Sequence, residues 1–247
     1  MDLEQTIAAA NRGDTEAMLD LGEYYMNSRN ITLADAKKAL ELFSRCAKKG
    51  DNYGALRAAD ICKVLGPLYE KNGDLDTAAR LYQDGLAFTN QVLITERSNQ
   101  DRVTLATDIR DEHLYGLAKF CYHKNDLQGA LDRVLDMKKS DARTAIMKAA
   151  CMTGIEKYAN PQGYETAFQL FLSALQKDEP YVAGGEIANA SLLEQTVMLS
   201  AAGMFALCLD RGVLEGGPQL KYQIYHIVSN AITWDYGQKL LKEQFGM

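Results

Sequence analysis

Ala36-Lys37-Lys38-Ala39-Leu40-Glu41-Leu42-Phe43-Ser44-Arg45-Cys46-Ala47 carries the pattern on which the fold turns. Residues 36, 39, 40, 43, 46 and 47 share one face of a 3.6-residue helix, with the polar residues opposite. The spacing recurs from Leu75 to Phe88, at 75, 78, 79, 82 and 86, and again from Tyr164 to Leu175. Sustained alternation, the mark of a half-buried strand, is missing. The pattern predicts an all-α chain of about eleven or twelve helices. Only 4 of the 247 residues are proline, which leaves long helices uninterrupted.

The breaks between helices are short. Arg12-Gly13-Asp14, Lys49-Gly50-Asp51 and Asn72-Gly73-Asp74 each put a glycine where a helix stops and an aspartate where the next one starts. Glycine accepts the left-handed conformation of a helix end, and the carboxylate accepts hydrogen bonds from unpaired N–H groups of the following first turn. Lys124-Asn125-Asp126 reads as the same turn with Asn for Gly. Connections this short make successive helices antiparallel neighbours.

More than the turn repeats. One unit reads Gly13-Asp14-x-x-Ala17-x-x-x-Leu21-Gly22-x-x-Tyr25, then Ala39-x-x-x-Phe43-x-x-Cys46-Ala47-x-x-Gly50-Asp51. A second reads Leu65-Gly66-x-x-Tyr69, then Ala78-x-x-x-Tyr82-x-x-Gly85. A third reads Leu117-Ala118-x-x-Cys121, then Ala130-x-x-x-Val134; a degenerate fourth has Tyr158, then Ala167-x-x-x-Phe171-x-x-Ala174. Gly22, Gly66 and Ala118 are small so that the second helix of each pair can approach the first. Ala39, Ala78, Ala130 and Ala167 are the matching small residues, and the aromatic residues fill the space between units. The alanines lie at irregular intervals, and the longest holds Thr95 to Asp101, read as a surface connection.

The first unit resembles a Sel1-like repeat and the second resembles the tetratricopeptide pattern, closely over residues 13–92 and less so to about 175. The resemblance implies a right-handed α-solenoid of antiparallel helix pairs. Residues 1–177 would be the repeats. Residues 178–247, with Gly184-Gly185, Gly216-Gly217-Pro218 and a long apolar helix at about 187–209, would be a C-terminal helical cap. In such arrays the first helix of each pair lines a concave groove that takes a partner segment. Register transfers that role to Glu16, Leu19, Glu23 and Met26, then Asp60, Lys63, Pro67 and Glu70, then Glu112, Tyr115, Lys119 and Tyr122. In poorer register it reaches Ala149, Met152, Glu156 and Ala159. Six of these are acidic and two basic, so the implied partner is a basic or amphipathic protein or peptide segment. The family's basic clamp for a C-terminal carboxylate is not visible.

Composition narrows the classes. Net charge is −6 and both halves are mildly acidic, which argues against a nucleic-acid binder. The N-terminus is acidic and amphipathic, unlike a signal peptide. The longest nearly apolar stretch, Val197–Leu209, is 13 residues, short of the roughly 20 that span a bilayer. Five widely spaced cysteines without C-x-x-C read as reduced thiols of a cytoplasmic protein.

Chemistry finds no constellation. Cys121 and His123 are two apart and point away from each other on a helix, and His113 lies ten residues upstream, so no metal is expected. No nucleophile signature surrounds His113, His123 or His226, and no phosphate loop exists, so no cofactor and no catalysis are expected. The expectation is a cytoplasmic, non-catalytic interaction module, with a homo-oligomer left open. A peptide-responsive regulator with the C-terminal helices as output, and an all-helical enzyme built by fold-back, are the alternatives.

Overall fold

A computed structural model describes residues 3–27, 31–177 and 190–247. Among the described residues there are twelve α-helices, one 3-10 turn and no strand. They are α1 (Leu3–Arg12), α2 (Thr15–Met26), α3 (Leu33–Lys48), α4 (Asn52–Lys71), α5 (Leu75–Thr95), α6 (Gln100–His123), α7 (Leu127–Leu135), α8 (Ala142–Gly154), α9 (Pro161–Lys177), α10 (Leu192–Asp210), α11 (Gly217–Ala231) and α12 (Asp235–Phe245). They form two compact units, residues 1–116 and 117–247, with the boundary inside α6.

The turns are built as their sequence dictates. Gly13, Gly50 and Gly73 have φ of +92°, +87° and +80°, and Asn125 takes the same region at +62°. The Asp14, Asp51, Asp74 and Asp126 side chains accept from the N–H of Ala17, Gly54, Thr77 and Gly129 at 2.9, 2.6, 3.1 and 2.9 Å. Each aspartate N–H also reaches back five residues to a carbonyl of the finished helix, at 2.8–3.1 Å. One four-residue device thus ends one helix and starts the next.

In the first unit α1 packs on α2, α2 on α3, α3 on α4 and α4 on α5. Small residues set the spacing. A Cβ on Gly22 would lie 2.7 Å from Phe43 Cζ, closer than carbon atoms approach, so only glycine admits that ring. Gly66 meets one edge of the Tyr82 ring, and a Cβ on Gly116 would lie 2.6 Å from its opposite edge. Ala39, Ala78 and Phe43 are buried, and burying the Phe43 ring contributes about 2–3 kcal/mol. A cluster of Ala47, Ala55, Ala59, Val92, Ala106 and Ile109 carries the core from α3 through α4 and α5 to the N-terminal part of α6.

The Thr95–Asp101 connection is shorter than expected, because α6 already starts at Gln100. It is pinned: Glu96 accepts from Arg102 Nη1 at 2.5 Å and from Asn52 Nδ2 at 3.2 Å.

The second unit is arranged differently. Helix α8 packs on α7, α9 and α10, and α10 packs also on α11 and α12. Phe205 of α10 sits between Phe168 and Phe171 of α9, with ring centres 5.2 and 5.1 Å away. The 19 residues of α10 have a mean hydropathy of 1.6 in their most apolar window, and by length and composition alone they suffice to cross a membrane. The apolar run read from the sequence was shorter, because Thr196 and Gln195 interrupt it. More than half of that window is buried within the protein, the placement of a core helix. Gly216 and Gly217 take positive φ and Pro218 opens α11, whereas Gly184-Gly185 lies outside the described residues.

Candidate functional site

Helices α2 and α4 carry seven of the proposed groove residues other than Pro67, and the structure sorts those seven into three groups. Leu19 and Met26 are half-buried and pack on the apolar clusters. They are core side chains, because at 100° per residue they fall to the side of the Glu16–Asp20–Glu23 face. Glu23, Asp60, Lys63 and Glu70 are half-buried and engaged. Glu16 is exposed, and so is Pro67.

The centre of this face is a linked set of charges. Arg57 grips Glu23 with two bonds, Nε to Oε1 at 2.6 Å and Nη2 to Oε2 at 3.0 Å. The Tyr53 hydroxyl donates to Glu23 Oε1 at 2.8 Å. Lys63 Nζ lies 2.8 Å from Asp60, and Arg57 approaches the same carboxylate at 3.9 Å. Burial works against the Arg57 charge, but the bond and the charge of Glu23 outweigh it and raise its pKa. Partial burial, then the Glu23 bond and charge, raise the Tyr53 phenol. At the far end of α4, Glu70 accepts from the Tyr82 hydroxyl at 2.9 Å.

Arg57 and Tyr53 were missed in the sequence because groove positions were carried over one turn at a time. A wheel of the whole of α4 would have found them: residues 53, 57, 60, 64 and 67 fall within about 80° of each other. The same stripe leaves Val64 57% exposed and Tyr53 40% exposed, with Leu68 beside it at 47%. The α2–α4 face is therefore mostly charge-compensated and partly apolar, rather than an open row of acids.

Further along, Glu112 is half-buried and Tyr115 is buried at 4% exposure, both in the first unit. In the second unit Lys119 is buried, and Tyr122 is half-buried, its phenol raised by burial against a bond to Ser200 that lowers it. Ala149 and Met152 are buried, while Glu156 and Ala159 are exposed in and after the 3-10 turn. The second unit holds its own apolar concavity of about 410 Å³ between α9 and α11, walled by Leu172, Leu175, Leu220, Ile224 and Ile227, with Tyr222 and His226 at the rim.

Groups able to do chemistry are scattered. The five cysteines are buried and unpaired, and burial raises their thiols, to about 11 for Cys46 and about 12 for Cys62 and Cys151. Such thiols are poor nucleophiles. Among the described residues no three His, Cys, Asp or Glu side chains are placed to hold a metal ion. His123 and His226 are exposed and His113 is fully buried. The chain matches no family model, no curated protein and no solved structure.

Proposed function

We propose that this chain is a non-catalytic protein-interaction module of the Sel1/tetratricopeptide kind. Its helix pairs would stack as a right-handed solenoid, and the α2–α4 face would receive a partner segment. The observation that carries this reading is the join between alternate helices. Within the first unit α2 and α4 lie side by side through the Glu23–Arg57–Tyr53 bonds, while Phe43 of α3 and Tyr82 of α5 fill the glycine positions of α2 and α4. These contacts support a layering with first helices on one wall and second helices on the other, as the repeat resemblance implies. A preformed wall of this kind binds a segment at low ordering cost.

The compensated charges alter the expected partner. Glu16 remains for a basic residue, but Tyr53, Val64 and Leu68 offer more contact area than charge, which favours an amphipathic segment over a purely basic one. Affinity capture from native extract, followed by calorimetry with the purified partner, tests the reading. Val64→Glu with Leu68→Glu should weaken that partner about tenfold or more while the helical circular dichroism is unchanged. An unaltered affinity would remove the α2–α4 face from the proposal. Small-angle scattering tests the array itself: a radius of gyration near the ~18 Å of a compact chain this long would argue against a solenoid.

A further inference from the structure

His113 sits where α4, α5 and α6 meet in the first unit, and it is fully buried. Its Nε2 lies 3.1 Å from the carbonyl oxygen of Ala59 on α4. A carbonyl can only accept, so Nε2 carries the proton and Nδ1 is bare. Nδ1 is buried and has no hydrogen-bond partner among the described residues. Gly85 of α5 gives the ring its room: the imidazole occupies the space where a Cβ would stand. The Tyr82 ring lies 6.1 Å away.

We propose that His113 is an acid-released latch between α4 and α6: neutral, it ties the two helices through Ala59, and protonated at Nδ1 it can no longer be held there. A second N–H at that ring would have no acceptor, and a buried cation would have no carboxylate of its own. The charged groups that reach it from α4 are Asp60 and Lys63, opposite in sign and already paired at 2.8 Å. From α5 the ring faces Gly85 and the phenol of Tyr82, and on α6 its sequence neighbours are Asp111 and Glu112. Burial dominates this balance and holds the imidazole at about 4, against 6.5 when exposed. The folded pKa is therefore depressed for a base. The open state binds the proton more readily, so stability is full above about 6.5 and falls as pH drops towards 4. The latch needs no partner and stands apart from the function of the α2–α4 face.

Hydrogen exchange read by mass spectrometry tests it on the full chain, at pH 7, 5.5 and 4.5, corrected for intrinsic rates. His113→Gln keeps a donor for Ala59 and cannot titrate. The wild-type protection of α6 should fall about tenfold per pH unit below 6.5 relative to that variant. Parallel profiles in the two proteins would overturn the latch. Should the variant not fold, the imidazole proton shifts of the wild type decide. The His113 shift should hold its position between pH 7 and 5 in the folded chain. A His113 shift that moves over that range in the folded chain would refute the proposal.

Discussion

Helices α3 and α10 bury their residues to different extents. In α3 the buried residues are Ala36, Ala39, Leu42, Phe43, Cys46 and Ala47, one continuous stripe, with Lys37, Lys38 and Glu41 in solvent. In α10 ten of nineteen residues are buried, from Gln195 to Leu209, over more than half of the helix circumference, with Leu192, Thr196, Ser200 and Leu207 along the exposed side. The first helix has neighbours along one stripe; the second packs on α8, α11 and α12 and takes Phe168 and Phe171 of α9 against Phe205. The contrast teaches how each unit gains its stability. A unit whose helices pack on their sequence neighbours is held by many modest contacts, whereas a unit with a central helix concentrates its burial in one element.

The sharpest way to break that comparison is Phe205→Ala. The ring is fully buried between two others, and its loss should cost about 4 kcal/mol in a urea titration. A cost below about 1 kcal/mol would deny α10 its central place. Gly66→Ala should cost about 2 kcal/mol, because the new methyl group would collide with the Tyr82 ring and push α4 and α5 apart. Unchanged thermal stability would show that the pairs of the first unit are not spaced by glycine.

Arg57→Ala should cost about 1 kcal/mol, with a double-mutant cycle against Glu23→Gln recovering most of it, since the pair is bidentate and about one-quarter exposed. Additive effects would remove the α2–α4 join. The smallest effect is expected at the turn that departs from its fellows. Asn125→Gly relieves a left-handed side chain at φ +62° and should stabilise by about 0.5 kcal/mol, read as a rise in melting temperature.

Much of this could be read in the residues themselves. Three Gly-Asp turns and one Asn-Asp turn carry their own geometry in four letters, and the stripe of α3 announces most of its burial by spacing alone, although Leu42 is buried where the spacing pointed to Leu40. Helix α10 shows why legibility then declines. Its buried arc is wide and its exposed strip still carries Leu192 and Leu207, so its sequence says only that it is covered and not by what. The wall of α2 and α4 was half-legible for a similar reason. Glu23 faces Arg57 across 34 positions of sequence, and no local pattern reports such a partner. Leu19 and Met26 differ from true surface residues by a rotation of less than a quarter turn about α2, finer than a motif can resolve.

Among the described residues Tyr82 is the one ring that fills two glycine hollows at once, with Gly66 at one edge and Gly116 at the other. Positions 66, 82 and 116 are consequently a single inherited decision. A descendant of this chain could put a methyl group at either glycine only after trading the ring for something slimmer, and having done so it could enlarge both. The three letters should drift as a set across related sequences, and a lone change at any one of them marks a lineage in which the seam between these helices has been rebuilt.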